Sequence, residues 1–159
     1  MTEYEKLLDE VHQLGIKVIE VDVSTNKEYG LYLGNIIIIN SNMTDTQKYC
    51  VLSEELGHHI TTTGDITDLT KSENRKEEFK ARKVSCEKLI TPECVIKALL
   101  SGASNIYELA EELNVTKSFL LDAIHYYKKR YGIYYVSKTH LLIFEPLSVI
   151  DFQPICQAK

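Results

Sequence analysis

The chain contains no tryptophan and only three prolines in 159 residues, so few positions force a break in a helix or a central strand. Its four cysteines, Cys50, Cys86, Cys94 and Cys156, include no CxxC pair and no regular spacing. That pattern argues against a disulfide framework and a cysteine-rich zinc site, and it reads most simply as a set of buried thiols. Positive charge is also short: the net charge of -5 and the pI near 5.6 argue against binding nucleic acid by charge alone, and no direct DNA contact is expected. The longest apolar run, Ile36 to Ile39, falls far below the roughly 20 residues of a membrane helix. The opening Met1-Thr2-Glu3-Tyr4-Glu5 is acidic and lacks the apolar segment of a secretory signal, so a cytoplasmic protein is expected.

What is present is a hydrophobic content of 44%, normal for a globular chain, arranged in periodic segments. Leu7, Leu8, Val11 and Leu14 fall at helical spacing, with Gly15 placed to stop the helix. Ile16 to Val23 alternates and predicts a strand with one buried face. Tyr29 to Leu33 and Ile36 to Asn40 flank Gly34-Asn35, which suits a tight hairpin, and the four isoleucines predict a strand buried on both faces. Thr44 followed by Gln47 reads as a capping box opening a helix from about 45 to 61. Within it, Leu52, Leu56 and Ile60 form one apolar stripe.

A polar stretch at 62–72 reads as a loop, and a charged helix follows over about 73–90, ending before Pro92. A short helix at 92–100 precedes Ser101-Gly102-Ala103-Ser104. Two helices at 105–113 and 116–131, joined by Asn114-Val115, read as a helix-turn-helix, and 133–136 with 140–144 as a closing hairpin before a loose tail after Asp151. The expected class is α+β: one domain over 1–100, in which a small antiparallel sheet packs on the 45–61 helix, then a helical portion and hairpin over 101–159.

The chemistry concentrates in Ser53-Glu54-Glu55-Leu56-Gly57-His58-His59, one residue short of the HExxH helix of zinc peptidases. In that pattern two histidines four apart hold the metal and the glutamate after the first activates water. Here Glu54 and His58 occupy the ligand positions and Glu55 the base position. A carboxylate oxygen is a legitimate zinc ligand. A hydrolytic site needs a third protein ligand, and the charged helix offers Glu77 and Glu78; Glu78 is preferred because it continues the stripe of Ala81, Ser85 and Leu89. Gly57 inside a helix costs roughly 1 kcal/mol relative to alanine, so a close approach is expected there, one candidate being a substrate-presenting strand.

Other polar groups have plainer readings. His59 has two readings, a hydrogen bond to a neighbouring carboxylate behind the ligands or an alternative ligand four residues after Glu55, and the former is preferred. His12, His125 and His140 read as ordinary surface or partly packed residues, with His140 a candidate to line the cleft. Tyr29, Tyr32 and Tyr49 are core residues first and oxyanion donors second. Lys128-Lys129-Arg130 complements the dipole of its own helix rather than a phosphate.

The run from Cys50 to Asp65, with Glu78-Phe79-Lys80-Ala81-Arg82-Lys83-Val84-Ser85 and Lys88-Leu89-Ile90 downstream, resembles the ImmA/IrrE metallopeptidases, particularly the short forms of phages and integrative elements. Glu-Leu-Ala-Glu-Glu-Leu at 108–113, Val115-Thr116 and the run from Tyr126 to Gly132 extend the likeness, so that it covers about residues 1–145. The resemblance implies Glu55 as catalytic base, His58 and Glu78 as metal ligands, and Glu54 in the place of the first histidine. It implies zinc, or manganese given so hard a donor set. It further implies an anti-repressor endopeptidase that cleaves a helix-turn-helix repressor of a prophage or mobile element. The rival readings are a relative that regulates by binding the repressor without cutting it, and a DNA-binding regulator using the helices at 105–131.

Overall fold

The computed structural model describes residues 1–62 and 71–152. The loop expected at 62–72 and the tail expected after Asp151 fall largely outside them. The class is α+β, as expected: six helices and two three-stranded sheets among the described residues. Internal contacts divide the chain into two compact units, Met1–Leu89 with Asn114–Thr116, and Ile90–Leu113 with Lys117–Lys159.

In the first unit, α1 (Glu3–Gln13) opens with Thr2 and Glu5 capping each other's backbone, and it buries Tyr4, Leu7 and Val11. Gly15, at φ 78, takes the left-handed turn that ends it. Then come β1 (Lys17–Val21), β2 (Gly30–Leu33) and β3 (Ile36–Asn40). The hairpin through Gly34-Asn35 forms as expected, pairing β2 antiparallel to β3. The sheet as a whole is mixed, not antiparallel, because β1 pairs with β3 in parallel and the order is β1-β3-β2. The chain leaves β1, crosses to the far edge as β2 and returns through the middle, so β3 runs the same way as β1.

Burial on β3 also differs from expectation: Ile37 and Ile39 are fully buried, while Ile36 and Ile38 are only half-buried. One face of the sheet meets the helices and the other is partly covered. The capping box of Thr44 and Gln47 opens α2 (Asp45–Thr61) as the sequence indicates. Leu52 and Leu56 join Ile37, Ile39, Val11 and Leu7 in the core, whereas Ile60 lies 47% exposed, beyond the end of the apolar stripe assigned to it. A second long helix, α3 (Lys71–Leu89), packs against α2.

In the second unit, Thr91 caps α4 (Pro92–Leu100), with Pro92 in the first turn where a missing N–H costs nothing. The expected helix pair is present as α5 (Ile106–Glu112) and α6 (Lys117–Tyr131), with Asn114 in the left-handed conformation at φ 52. Lys128, Lys129 and Arg130 occupy the last turn of α6, and Lys128 pairs with Glu145. The closing hairpin is the first two strands of a three-stranded antiparallel sheet, β4 (Tyr134–Val136), β5 (His140–Phe144) and β6 (Leu147–Asp151). The third strand escapes a reading of hydropathy because Pro146 interrupts the apolar pattern just before it.

Candidate functional site

The residues of interest meet on one side of α2. Helical spacing puts Glu54, Glu55 and His58 beside the Leu52/Leu56 stripe that anchors the helix in the core, next to Val51, which is itself part of that core. Two neighbours then define their surroundings: α3 on one flank and the edge strand β2 on the other.

The α3 flank is set by Gly57. A Cβ built on this glycine would lie 2.3 Å from the carbonyl oxygen of Ala81 and 3.2 Å from its Cα, so the two helix backbones touch and only glycine fits. The close approach expected at Gly57 therefore exists, but its cause is a helix, not a strand. It carries Glu78, one turn before Ala81, up to α2, where its Oε1 stands 3.7 Å from His58 Nε2. Glu77 turns elsewhere and pairs with Lys80 at 2.9 Å.

The β2 flank is set by Gly30. A Cβ there would fall 2.6 Å from Glu55 Oε1 and 2.6 Å from Val51 Cγ1, so the carboxylate of Glu55 occupies the space that a side chain would fill. The backbone N–H of Tyr32 donates to that carboxylate. Burial first, then the charges of Glu54 and Glu78, push the Glu55 carboxyl up to about 7 against the pull of the Tyr32 N–H. Tyr32 also meets His59, its hydroxyl 3.0 Å from Nδ1 and the rings edge to face, so the partner the structure gives His59 is a phenol and not a carboxylate.

Glu54 is half-buried, and its charge acts on both Glu55 and Cys50. Cys50 is a core thiol. Burial pushes it up to about 12, far from a reactive thiolate, and it accepts from the Thr116 N–H at 3.4 Å. Cys86 is buried likewise, but Cys94 is exposed, and Cys156 lies outside the described residues. His140 takes partners in its own sheet, Thr139 at 2.7 Å and Asp151 at 3.9 Å. His12 and His125 are exposed, Tyr49 packs against the core, and Tyr29 is 42% exposed.

A divalent cation can be tested against this donor set. Bonds of about 2.0–2.1 Å in a tetrahedral site place neighbouring ligand atoms about 3.4 Å apart. The His58–Glu78 separation of 3.7 Å is close to that edge. The donors also fit in kind, since one imidazole is surrounded by carboxylates that repel one another. Among the described residues no group of three or more histidine, cysteine, aspartate or glutamate side chains is gathered tightly enough to hold a metal ion. The facing pair fits; the third position is not closed by Glu54.

Sequence reasoning missed Gly30 and the Tyr32 amide. A glycine opening a strand directly before the alternating Leu31-Tyr32-Leu33 was the available signal, because glycine at such a position marks a close approach. Among the described residues no helix is long and apolar enough to cross a membrane. Curated proteins give no match to the chain. The model of the IrrE N-terminal-like domain, a peptidase family, matches residues 11–125, a span that takes in α2, α3 and every residue discussed around them. The chain thus belongs to the IrrE N-terminal-like peptidase family.

Proposed function

We propose that the protein is a metal-dependent endopeptidase, with Glu55 as general base and Glu54, His58 and Glu78 as the residues that would hold zinc or manganese. The observation that carries this reading is the meeting of Glu78 with His58 at 3.7 Å across two helices. A cation bound there would lower the pKa of a water and polarise the scissile carbonyl.

The chain's own groups account for the proton. Glu55, aimed by the Tyr32 N–H and seated against Gly30, takes a proton from the attacking water. The same carboxyl returns it to the amine nitrogen as the peptide C–N bond breaks, so acid and base roles alternate on one group. Tyr32 keeps His59 fixed beside it.

The substrate in this reading is a helix-turn-helix transcriptional repressor of a prophage or mobile element, and the protein is its antagonist. Support for that step comes from the family alone. The test is to incubate the purified chain, with zinc or manganese added, with the repressor encoded beside it and to map products by mass spectrometry. Wild type is expected to make one or two discrete cuts, and Glu55→Gln to lose at least 100-fold in rate. Equal cutting by both would end the assignment of Glu55.

One observation favours a second reading. Glu54 stands where the pattern expects histidine, and no three-donor group is closed among the described residues. A relative that binds the repressor without cutting it would show tight complex formation, no cleavage and no effect of Glu55→Gln.

A further inference from the structure

We infer that His59 is a positioning residue for the general base: through the Tyr32 hydroxyl it locks the edge strand β2 onto α2, and so holds in place the Tyr32 amide that aims the Glu55 carboxylate. The inference rests on the peptidase reading and deepens it.

The strand is weakly held without that contact. β2 is an edge strand, paired with β3 on one side. Of its four residues, Leu31 and Leu33 turn outward and are 39% and 52% exposed, and Gly30 has no side chain. Tyr32 is the residue of β2 whose side chain meets the helix, its ring packed against the core and edge to face with His59.

The spacing of the two elements sets the contact. Glu55 and His59 are four apart on α2, about 6 Å along the axis, and Gly30 and Tyr32 are two apart on β2, about 6.6 Å along the strand. The two steps match, so Glu55 lies over Gly30, with Oε1 2.6 Å from where a Cβ would stand, while His59 meets Tyr32, with Nδ1 3.0 Å from its hydroxyl.

Register then frees the amide. The Asn40 N–H donates to the Tyr29 carbonyl at 3.1 Å, which makes that pair a hydrogen-bonded one. Antiparallel strands alternate, so Leu31 and Leu33 exchange bonds with β3, while the amides of Gly30 and Tyr32 point off the edge of the sheet. The Tyr32 N–H is the one that donates to the Glu55 carboxylate. The same residue therefore gives its hydroxyl to His59 and its amide to Glu55, one turn apart on the same helix. Holding the first fixes the second. His59 also stands in the last turn of α2, where a cation complements the helix dipole, but that effect requires charge and not a bond to Tyr32.

The experiment uses the full 15N-labelled chain without added metal, and reads amide hydrogen exchange by NMR in the parent and in His59→Phe, His59→Asn, Tyr32→Phe and the His59→Phe/Tyr32→Phe double variant. His59→Phe keeps a ring against Tyr32 and removes the nitrogen; Tyr32→Phe keeps the packed ring and removes the hydroxyl. Each is expected to speed exchange of the residue 32 amide at least tenfold, with Leu31 and Leu33 unchanged, and the double variant should be no faster than either single. His59→Asn, which can hydrogen-bond the hydroxyl but carries no charge, should stay within threefold of the parent, separating the bond from the dipole effect. Circular dichroism of each variant should match the parent.

A residue 32 amide as protected in both single phenylalanine variants as in the parent, additive effects in the double variant, or His59→Asn behaving as His59→Phe overturns the inference. Cleavage of the repressor encoded beside the chain, with zinc or manganese added, is scored separately. A fall in kcat of at least tenfold in His59→Phe, with KM within twofold and recovery in His59→Asn, is expected. A changed amide with unchanged kcat in a chain that cuts refutes the positioning role. A changed amide in a chain that does not cut keeps the lock of β2 on α2 and refutes the catalytic reading.

Discussion

The two flanks of α2 solve the same problem by different contacts. Toward α3, Gly57 lets one backbone rest on another, with the carbonyl of Ala81 as the opposing atom. Toward β2, Gly30 leaves room for a side chain, and the opposing atoms belong to Glu55 and Val51. A backbone contact fixes the separation of two helices and cannot yield without moving one of them. A side-chain contact fixes the direction of one carboxylate and can yield by a rotamer change. The first flank therefore determines whether Glu78 reaches His58 at all, and the second determines where Glu55 points once α2 is in place.

If that distinction holds, the two glycines answer differently to the same substitution. Gly57→Ala drives a methyl group into the Ala81 carbonyl, and overpacking of that kind costs about 3 kcal/mol or more where the backbone must move. Chemical denaturation should show a fall in midpoint of that size with little change in slope, and the metal-supplemented variant should lose cleavage along with stability. Gly30→Ala presses on both the carboxylate and the Cγ of Glu55 and on one methyl of the buried Val51, but on no backbone atom, so about 2 kcal/mol is expected. Its larger effect falls on cleavage: a loss of at least tenfold, from displacement of Glu55, in a protein that remains folded. Should Gly30→Ala unfold the chain, or Gly57→Ala leave it as stable as the parent, the assignment of rigid and soft flanks is reversed.

How much of this was legible beforehand follows the same division. The capping box at Thr44, the hairpin at Gly34-Asn35, and the carboxylates and imidazole of α2 are local patterns, each set by residues within a few positions of one another. The preference for Glu78 over Glu77 came from helical period, and the structure places Glu78 against His58 and Glu77 against Lys80. What did not read was tertiary. The parallel pairing of β1 with β3 depends on the route of the chain between them. The true neighbour of Gly57 lies 24 positions away, at Ala81. The role of Gly30 depends on which strand ends at the sheet edge, and β6 hides behind Pro146. Hydropathy said that Gly57 needed a reason without saying what would supply it.

The smallest expected effect tests the α3 flank from within. Ser53 precedes Gly57 by one turn, is fully buried, and its hydroxyl has no hydrogen-bond partner among the described residues. An unsatisfied buried hydroxyl costs about 1 kcal/mol or more, and alanine fills nearly the same space. Ser53→Ala should therefore raise stability by about 1 kcal/mol, opposite in sign to Gly57→Ala on the same face. Because the substitution shortens the side chain by a single atom, the His58–Glu78 approach should survive it and cleavage should not change. A loss of stability would show that the hydroxyl holds a buried water or a partner between the helices. The flank would then be a polar seam in which close packing at Gly57 is only one of the contacts that bring Glu78 to His58.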